Sequence, residues 1–252
     1  MEIEFENVSY KILNNINIKF KENKINSIIG TNGSGKSTLI SLLNGNTLTE
    51  GNIKVDSNEK IGIVCYKNTK KTVKEEIEYN LKKFEYETDN VEKRIIDSLK
   101  TVGLDKTYLD KDISSLSSGE IMKILIASTL SYNPKVIIFD ELTCLDSNGK
   151  NNLIKIIRML KNRYHKTIIF VSNDIDLVHK ISDYIYLISN GKLVFSGNKY
   201  EVFTNFEILK KYSIDIPNVV KFSKMVLDKK GIKIGYRDEI NDLLKDIYRY
   251  AK

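Results

Sequence analysis

Residues 30–38 read GTNGSGKST, the full G-x-x-x-x-G-K-[ST] pattern. The apolar run INSII precedes it and the helix-forming run LISLLNG follows. A buried strand that turns through glycines straight into a helix confines a chain to a small group of α/β folds. Such a turn gathers backbone N–H groups and the positive end of a helix at one point, which suits a phosphate group. Lys36 is placed to reach the β- and γ-phosphates of a nucleotide, and Ser37 offers a hydroxyl to Mg²⁺, which prefers oxygen ligands. The candidate nucleotide-binding residues are therefore Asn32, Gly33, Ser34, Gly35, Lys36, Ser37 and Thr38. The competing reading, a left-handed glycine turn with no ligand, loses weight because the motif is complete and sits between strand and helix.

Two further stretches carry chemistry. Residues 136–141, VIIFDE, are an apolar strand that ends in two carboxylates. Parallel sheets bind ligands at the carboxyl ends of their strands. Asp140 is then the candidate metal residue, acting through water, and Glu141 the candidate general base that polarises an attacking water. Alternatively, the pair caps a helix and leaves one acid solvated. Residues 116–120, LSSGE, precede a helical run and by themselves are an N-cap with Glu at capping-box distance.

Runs of period 2 open the chain, and buried-strand runs alternate with helical runs after it. Helices are predicted over 73–84, 90–102, 119–132, 148–164 and 174–181, and a hairpin closes around Asn190-Gly191. The expected architecture is an α/β nucleotide-binding domain over 1–204. It has a mostly parallel sheet, an added antiparallel β portion, and a helical subdomain inserted at about 73–130. Residues 205–252 are expected to form a small helical appendage that serves dimerisation.

The net charge of +7 and pI of about 9.1 raise nucleic acid or an anionic membrane as partners. The lysines, however, alternate with glutamates along helical runs such as TVKEEIEYNLKKFEYE, as on a solvated face, so no nucleic-acid partner is expected. No apolar run reaches the ~18 residues of a membrane span. The start, MEIEFENVSY, has no basic-then-apolar leader, so cytosolic residence is expected. Cys65 and Cys144 form no C-x-x-C pair and read as reduced, partly buried thiols.

Taken in order, GTNGSGKST, LSSGE, VIIFDE, the CLD ending at Asp146, FVSNDIDLV and SNGKLVFSG resemble the ATP-binding subunit of an ATP-binding cassette (ABC) transporter over about the first 200 residues. That resemblance implies a P-loop ABC-ATPase fold, ATP with Mg²⁺, and two subunits meeting head to tail around ATP. The signature, Ser117, Ser118, Gly119 and Glu120, would contact a nucleotide held by the partner, with Ser117 and Gly119 on its γ-phosphate. Tyr10 would stack on adenine. TVKEEIEYNL and the tail GNKYEVFTNFEILKKYSIDIPNVVKFSKMVLDKKGIKI are similar to energy-coupling factor (ECF) ATPases. This implies a second ATPase subunit, a transmembrane scaffold subunit and a substrate-binding membrane subunit as partners. It also implies a peripheral place on the cytoplasmic face of the membrane and work in the uptake of vitamins or metal ions. Glu75, Glu76 and Glu78 would offer charge to the scaffold.

The chain departs from that pattern at two sensor positions. The switch histidine is replaced by Asn173, which can donate to a phosphate but cannot carry a proton. Asn173 could equally cap the helix starting near Asp174. At the Q-loop position stands Tyr66, whose hydroxyl is a poor ligand for a hard cation. Asn173 and Glu141 are the candidate catalytic pair, with a slow own site and a heterodimer expected. Two alternatives stay open: a hydrolysis-poor regulatory or structural module, and an ATPase of another ABC class.

Overall fold

The computed structural model describes residues 2–45, 50–55, 59–66, 69–142, 145–230, 235–238 and 240–250. In chain order the first elements are β1 (Ile3–Tyr10), β2 (Leu13–Phe20), β3 (Ile25–Ile29), α1 (Lys36–Leu43), β4 (Glu50–Val55) and β5 (Ile61–Val64). Then come α2 (Val73–Lys83), α3 (Val91–Thr101), α4 (Ser118–Ser131), β6 (Val136–Asp140), α5 (Ser147–Asn162) and β7 (Thr167–Val171). The chain closes with α6 (Ile175–Ile181), β8 (Tyr184–Ser189), β9 (Lys192–Asn198), α7 (Lys199–Phe203), α8 (Phe206–Lys211), α9 (Asn218–Lys230) and α10 (Ile240–Tyr250). The helices predicted from sequence fall within one or two residues of α2 to α6. Cys65 is a half-buried free thiol, and Cys144 lies outside the described residues.

The chain divides into two compact units, one of residues 1–4, 19–24 and 54–171, the other of residues 5–18, 25–53 and 172–252. In the first, β5, β6 and β7 are parallel neighbours, with Ile61 opposite Val136 and Val136 opposite Thr167. VIIFD and TIIFV are apolar without alternation because parallel strands are buried on both faces. The rings of Phe139 and Phe170 sit 6.2 Å apart in this core. Helices α2 and α3 pack on α4, which is apolar nearly all round and buries every residue from Ile124 to Ser131. A capping box of Thr72 and Glu75 starts α2. Arg94 of α3 closes the other end of α4, donating Nε to the Ser131 carbonyl at 2.6 Å and a terminal nitrogen to that of Leu130 at 2.9 Å.

In the second unit β3 lies parallel to β8, with Asn26 opposite Tyr184 and Ile29 opposite Leu187. Strand β9 runs antiparallel to β8 through the expected Asn190-Gly191 turn, both of whose residues have positive φ (47° and 70°). A β-carbon at Gly191 would stand 1.7 Å from the Ile12 carbonyl, so only glycine fits there. Strands β2, β1 and β4, in that order, make a three-stranded sheet, most of whose residues belong to this unit. The C-terminal segment ties back to α6. Asp176 accepts from the Asn218 backbone N–H at 2.8 Å and from its side-chain amide. His179, buried in α6, packs against the rings of Phe203 and Tyr236, each 5.5 Å away. Among the described residues no helix is long and apolar enough to cross a membrane.

Candidate functional site

The phosphate loop lies wholly in the second unit. The five residues of β3 are all buried and deliver the chain to Gly30. Gly30, Gly33 and Gly35 then take φ of 157°, 77° and 109°, and α1 begins at Lys36. At Gly30 a β-carbon would come 2.2 Å from the Ile188 carbonyl, and at Gly35 2.8 Å from Leu13 Cδ2. The turn of the β8–β9 hairpin braces the loop, with the Gly191 N–H donating to the Ser34 carbonyl at 2.9 Å. Lys36 is buried, and its ammonium curls back to donate to the carbonyls of Gly30 (2.9 Å) and Thr31 (3.1 Å). Ser34 Oγ is buried with no hydrogen-bond partner. A buried hydroxyl without an acceptor and a buried ammonium on the same loop suit an oligophosphate. Ser37 is exposed and Thr38 half-buried at the start of α1. Tyr10, half-buried at the end of β1, carries the Lys11 ammonium over its ring at 5.0 Å.

Asn173 joins this loop. Its Nδ2 donates to Oδ1 of Asn32 at 2.6 Å. The alternative that Asn173 caps the following helix is corrected by the structure. The cap of α6 is Asp174, whose Oδ1 accepts from the Leu177 N–H at 3.0 Å. The physical reason is positional: a cap side chain serves the N–H two or three residues on, and α6 starts at Ile175. Asn173 is thereby left for the loop.

The remaining candidates belong to the first unit. Asp140 ends β6 half-buried. Glu141 turns out of the strand with φ of 46°, a left-handed conformation uncommon for a side chain of this size, and its N–H donates to the Val171 carbonyl at 3.2 Å. Among the described residues neither acid caps a helix, so the capping alternative is not what the structure describes. The next helix, α5, is capped by Asp146, accepting from Gly149 N–H at 2.7 Å.

Ser117 caps α4 in the capping box read from LSSGE. Glu120 Oε2 accepts from the Ser117 N–H (3.0 Å) and Oγ (2.7 Å), and Oε1 accepts from the Tyr108 hydroxyl at 2.7 Å. The Tyr108 hydroxyl first, then the Ser117 bonds, hold the Glu120 carboxyl at about 2, far below the usual carboxylate value. A β-carbon at Gly119 would meet nothing within 4 Å, so the outer side of this turn is open. Tyr66 also reaches the turn, donating its hydroxyl to the Ser118 carbonyl at 3.1 Å. Sequence reasoning missed three of these partners: Tyr66 for Ser118, Tyr108 for Glu120, and Asn32 for Asn173. Each contact joins residues distant in the chain, and no local pattern marks it.

A cleft of about 630 Å³ opens beside Asn173, between the start of α6 and the helices α8 and α9. Lys210, Lys221 and Lys224 face Asp174, Asp176 and Asp215 across it, so its formal charges balance and select no ligand class.

A loop with glycine-relieved left-handed turns, a buried lysine and an acceptor-less hydroxyl defines a P-loop nucleotide-binding protein. The ABC transporter family model matches residues 13–144. The ECF transporter ATP-binding protein EcfA2 of Clostridium perfringens is 34% identical, with 93% of each chain covered. EcfA1 of Mycoplasma mobile is 33% identical over 89% of this chain and 90% of that one. Among solved structures, cbiO1 of Clostridium perfringens, part of the ABC transporter complex cbiONQ, superimposes with a TM-score of 0.73 at 28% identity, covering 88% of this chain and 98% of that one. A post-hydrolysis ATP-binding cassette bound to ADP and phosphate matches with a TM-score of 0.67 at 25% identity, covering 78% and 98%. The chain belongs to the ABC transporter family, among the energy-coupling factor ATP-binding proteins, and is an ATPase that binds ATP.

Proposed function

We propose that the chain is the ATP-hydrolysing subunit of an energy-coupling factor importer. It sits peripherally on the cytoplasmic face of the membrane, bound to a transmembrane scaffold subunit and, through it, to a substrate-binding membrane subunit. Its work is to power uptake of a vitamin or metal ion. The observation that carries this is the phosphate loop, where the buried Lys36 ammonium lies against the Gly30 and Thr31 carbonyls and Ser34 Oγ is buried with no acceptor. In this reading Asn32 to Thr38 cradle the phosphates and Tyr10 stacks on adenine. The hydroxyl of Ser37 and the carboxylate of Asp140 are oxygen donors of the kind Mg²⁺ takes. That ion would neutralise phosphate charge. Glu141 accepts the proton of the attacking water. Asn173, already an amide donor, can move from Asn32 to a phosphate oxygen, but cannot take a proton. The open side of the turn at Gly119 supports a role for Ser117, Ser118, Gly119 and Glu120 toward a nucleotide on a partner subunit. The asymmetry of Asn173 and Tyr66 favours a heterodimer.

The nucleotide-binding domain over 1–204 is followed by an extension over 205–252 that serves dimerisation. Support comes from α10, whose Ile240, Leu244 and Tyr248 form an exposed apolar stripe at helical spacing. Replacing Lys36 by Ala tests the central reading. Calorimetry should show ATP binding lost in Lys36→Ala, and equal affinity in variant and parent would remove the phosphate-loop assignment.

A further inference from the structure

We propose that Tyr66 is a positioning residue for the signature turn, the part of this chain that faces a partner's nucleotide. For its effect on that nucleotide the inference rests on the head-to-tail reading above; the contact itself does not. Tyr66 is half-buried just beyond the end of β5, and its hydroxyl donates to the carbonyl of Ser118 at 3.1 Å. Ser118 is the first residue of α4, between the cap Ser117 and the open Gly119. Its acceptor has a second lone pair to spare beside the intrahelical bond, so the phenol adds a tether without breaking the helix.

The tether is not isolated. Residues 71–74, at the entry to α2, are stitched to the segment that leads into the signature. Thr72 pairs with Asp112, the Val73 N–H donates to the Lys111 carbonyl (3.2 Å), Lys74 to Leu109 (2.9 Å) and Ile113 back to Lys71 (2.9 Å). From that segment Tyr108 reaches Glu120 at 2.7 Å. Two phenols, one from before α2 and one from the approach to α4, therefore converge on a single helical turn. A displacement of Tyr66 is carried to Ser118 directly. The position that reads from sequence as a lost metal ligand has, in this fold, a mechanical role in the half-site given to the partner.

The test uses the full chain with Tyr66→Phe, which keeps the ring and removes the hydroxyl, and Tyr66→Gln. Loss of one hydrogen bond corresponds to about a fivefold to tenfold change in a local opening equilibrium. Hydrogen exchange of the amides of residues 117–122 should accelerate by about that factor in both variants, without nucleotide or partner. In a Glu141→Gln background, ATP-driven self-association should weaken by a comparable factor. Affinity of the phosphate loop for a fluorescent ATP analogue should match the parent. Unchanged exchange over 117–122 overturns the proposal. So does a fall in phosphate-loop affinity equal to the fall in association, which would place the phenol at its own chain's phosphates. If the parent does not self-associate with ATP, as a strict heterodimer would not, the exchange arm alone decides the role of Tyr66.

Discussion

At the residue scale, His179 shows how burial fixes a protonation state. Burial pushes its imidazolium down from 6.5 to about 4, against the pull of the Asp238 carboxylate 4.0 Å from Nε2. Lys199, which pairs with Asp238 at 2.7 Å, and Lys180 act with burial, whereas Asp176 acts against it. The folded chain therefore holds a neutral ring, while the unfolded chain takes up a proton near 6.5. Stability from this group is complete above pH 6.5 and is lost as the pH falls toward about 4. The slope has a ceiling of about 1.4 kcal/mol per pH unit. Urea unfolding midpoints between those limits should fall with pH in the parent and much less in His179→Phe, which keeps an aromatic ring against Phe203 and Tyr236. An identical slope in both would assign the dependence to other groups. Glu120 contributes in a lower window: its depressed carboxyl stabilises the start of α4 above the ordinary 4.5, and this is lost as the pH falls to about 2.

At the scale of elements, α2 is the face on which the structure revises the sequence reading. Glu75 is committed to the capping box with Thr72, and Glu76 is buried, accepting the Lys70 N–H at 2.9 Å and the Asn80 amide. Burial closes Glu76 to a partner, whereas Glu75 is exposed and already serves the cap. The acids that remain line a groove of about 540 Å³ between the end of α2 and the start of α3, with Glu78, Glu85, Glu87 and one counter-charge, Lys82, around Leu81, Tyr86 and Val91. An apolar floor with a net acidic rim suits a basic amphipathic helix of the proposed scaffold subunit. Reversing Glu85 and Glu87 to Lys should reduce co-purification with the scaffold, whereas Glu75→Lys should act mainly on α2 stability, by about 1 kcal/mol for a lost cap contact. Normal assembly of the Glu85/Glu87 double variant would place the docking face elsewhere.

At the scale of the whole molecule, the proposed assembly gives the two nucleotide sites unequal equipment. This chain's own site carries Asn173 in place of a proton-bearing switch residue, while its signature serves the partner's site. One lost transition-state contact costs about 2.7–4 kcal/mol, or about 10²–10³ in rate. A heterodimer with one intact site is then far faster than a homodimer of this chain. In the assembled complex Glu141→Gln should change transport little, and Gly119→Asp should stop it. The latter has room for its β-carbon, which would meet nothing within 4 Å. Abolished transport in Glu141→Gln, or an Asn173→His chain whose isolated turnover does not rise, would contradict the asymmetric assembly.

The sequence by itself determined the elements and the phosphate loop. Their signals are local: glycines at left-handed turns, as at Gly33 and Gly35, apolar strands without alternation, and the capping box of Ser117 and Glu120. Each is set by the backbone within a few residues, so it survives being read one-dimensionally. The sequence also marked Asn173 and Tyr66 as unusual, but as absences. Only the tertiary structure decided what they do, because their partners Asn32 and Ser118 lie 141 and 52 residues away in the chain. The same holds for Glu76, a surface acid by its pattern and a buried acceptor in the fold, and for His179, whose ordinary helical context gives no hint of its burial under Tyr236. Propensity and spacing fix what a residue's own backbone does; which side chain meets which, and how far water is excluded from them, is set by the packing of elements brought together from far along the chain.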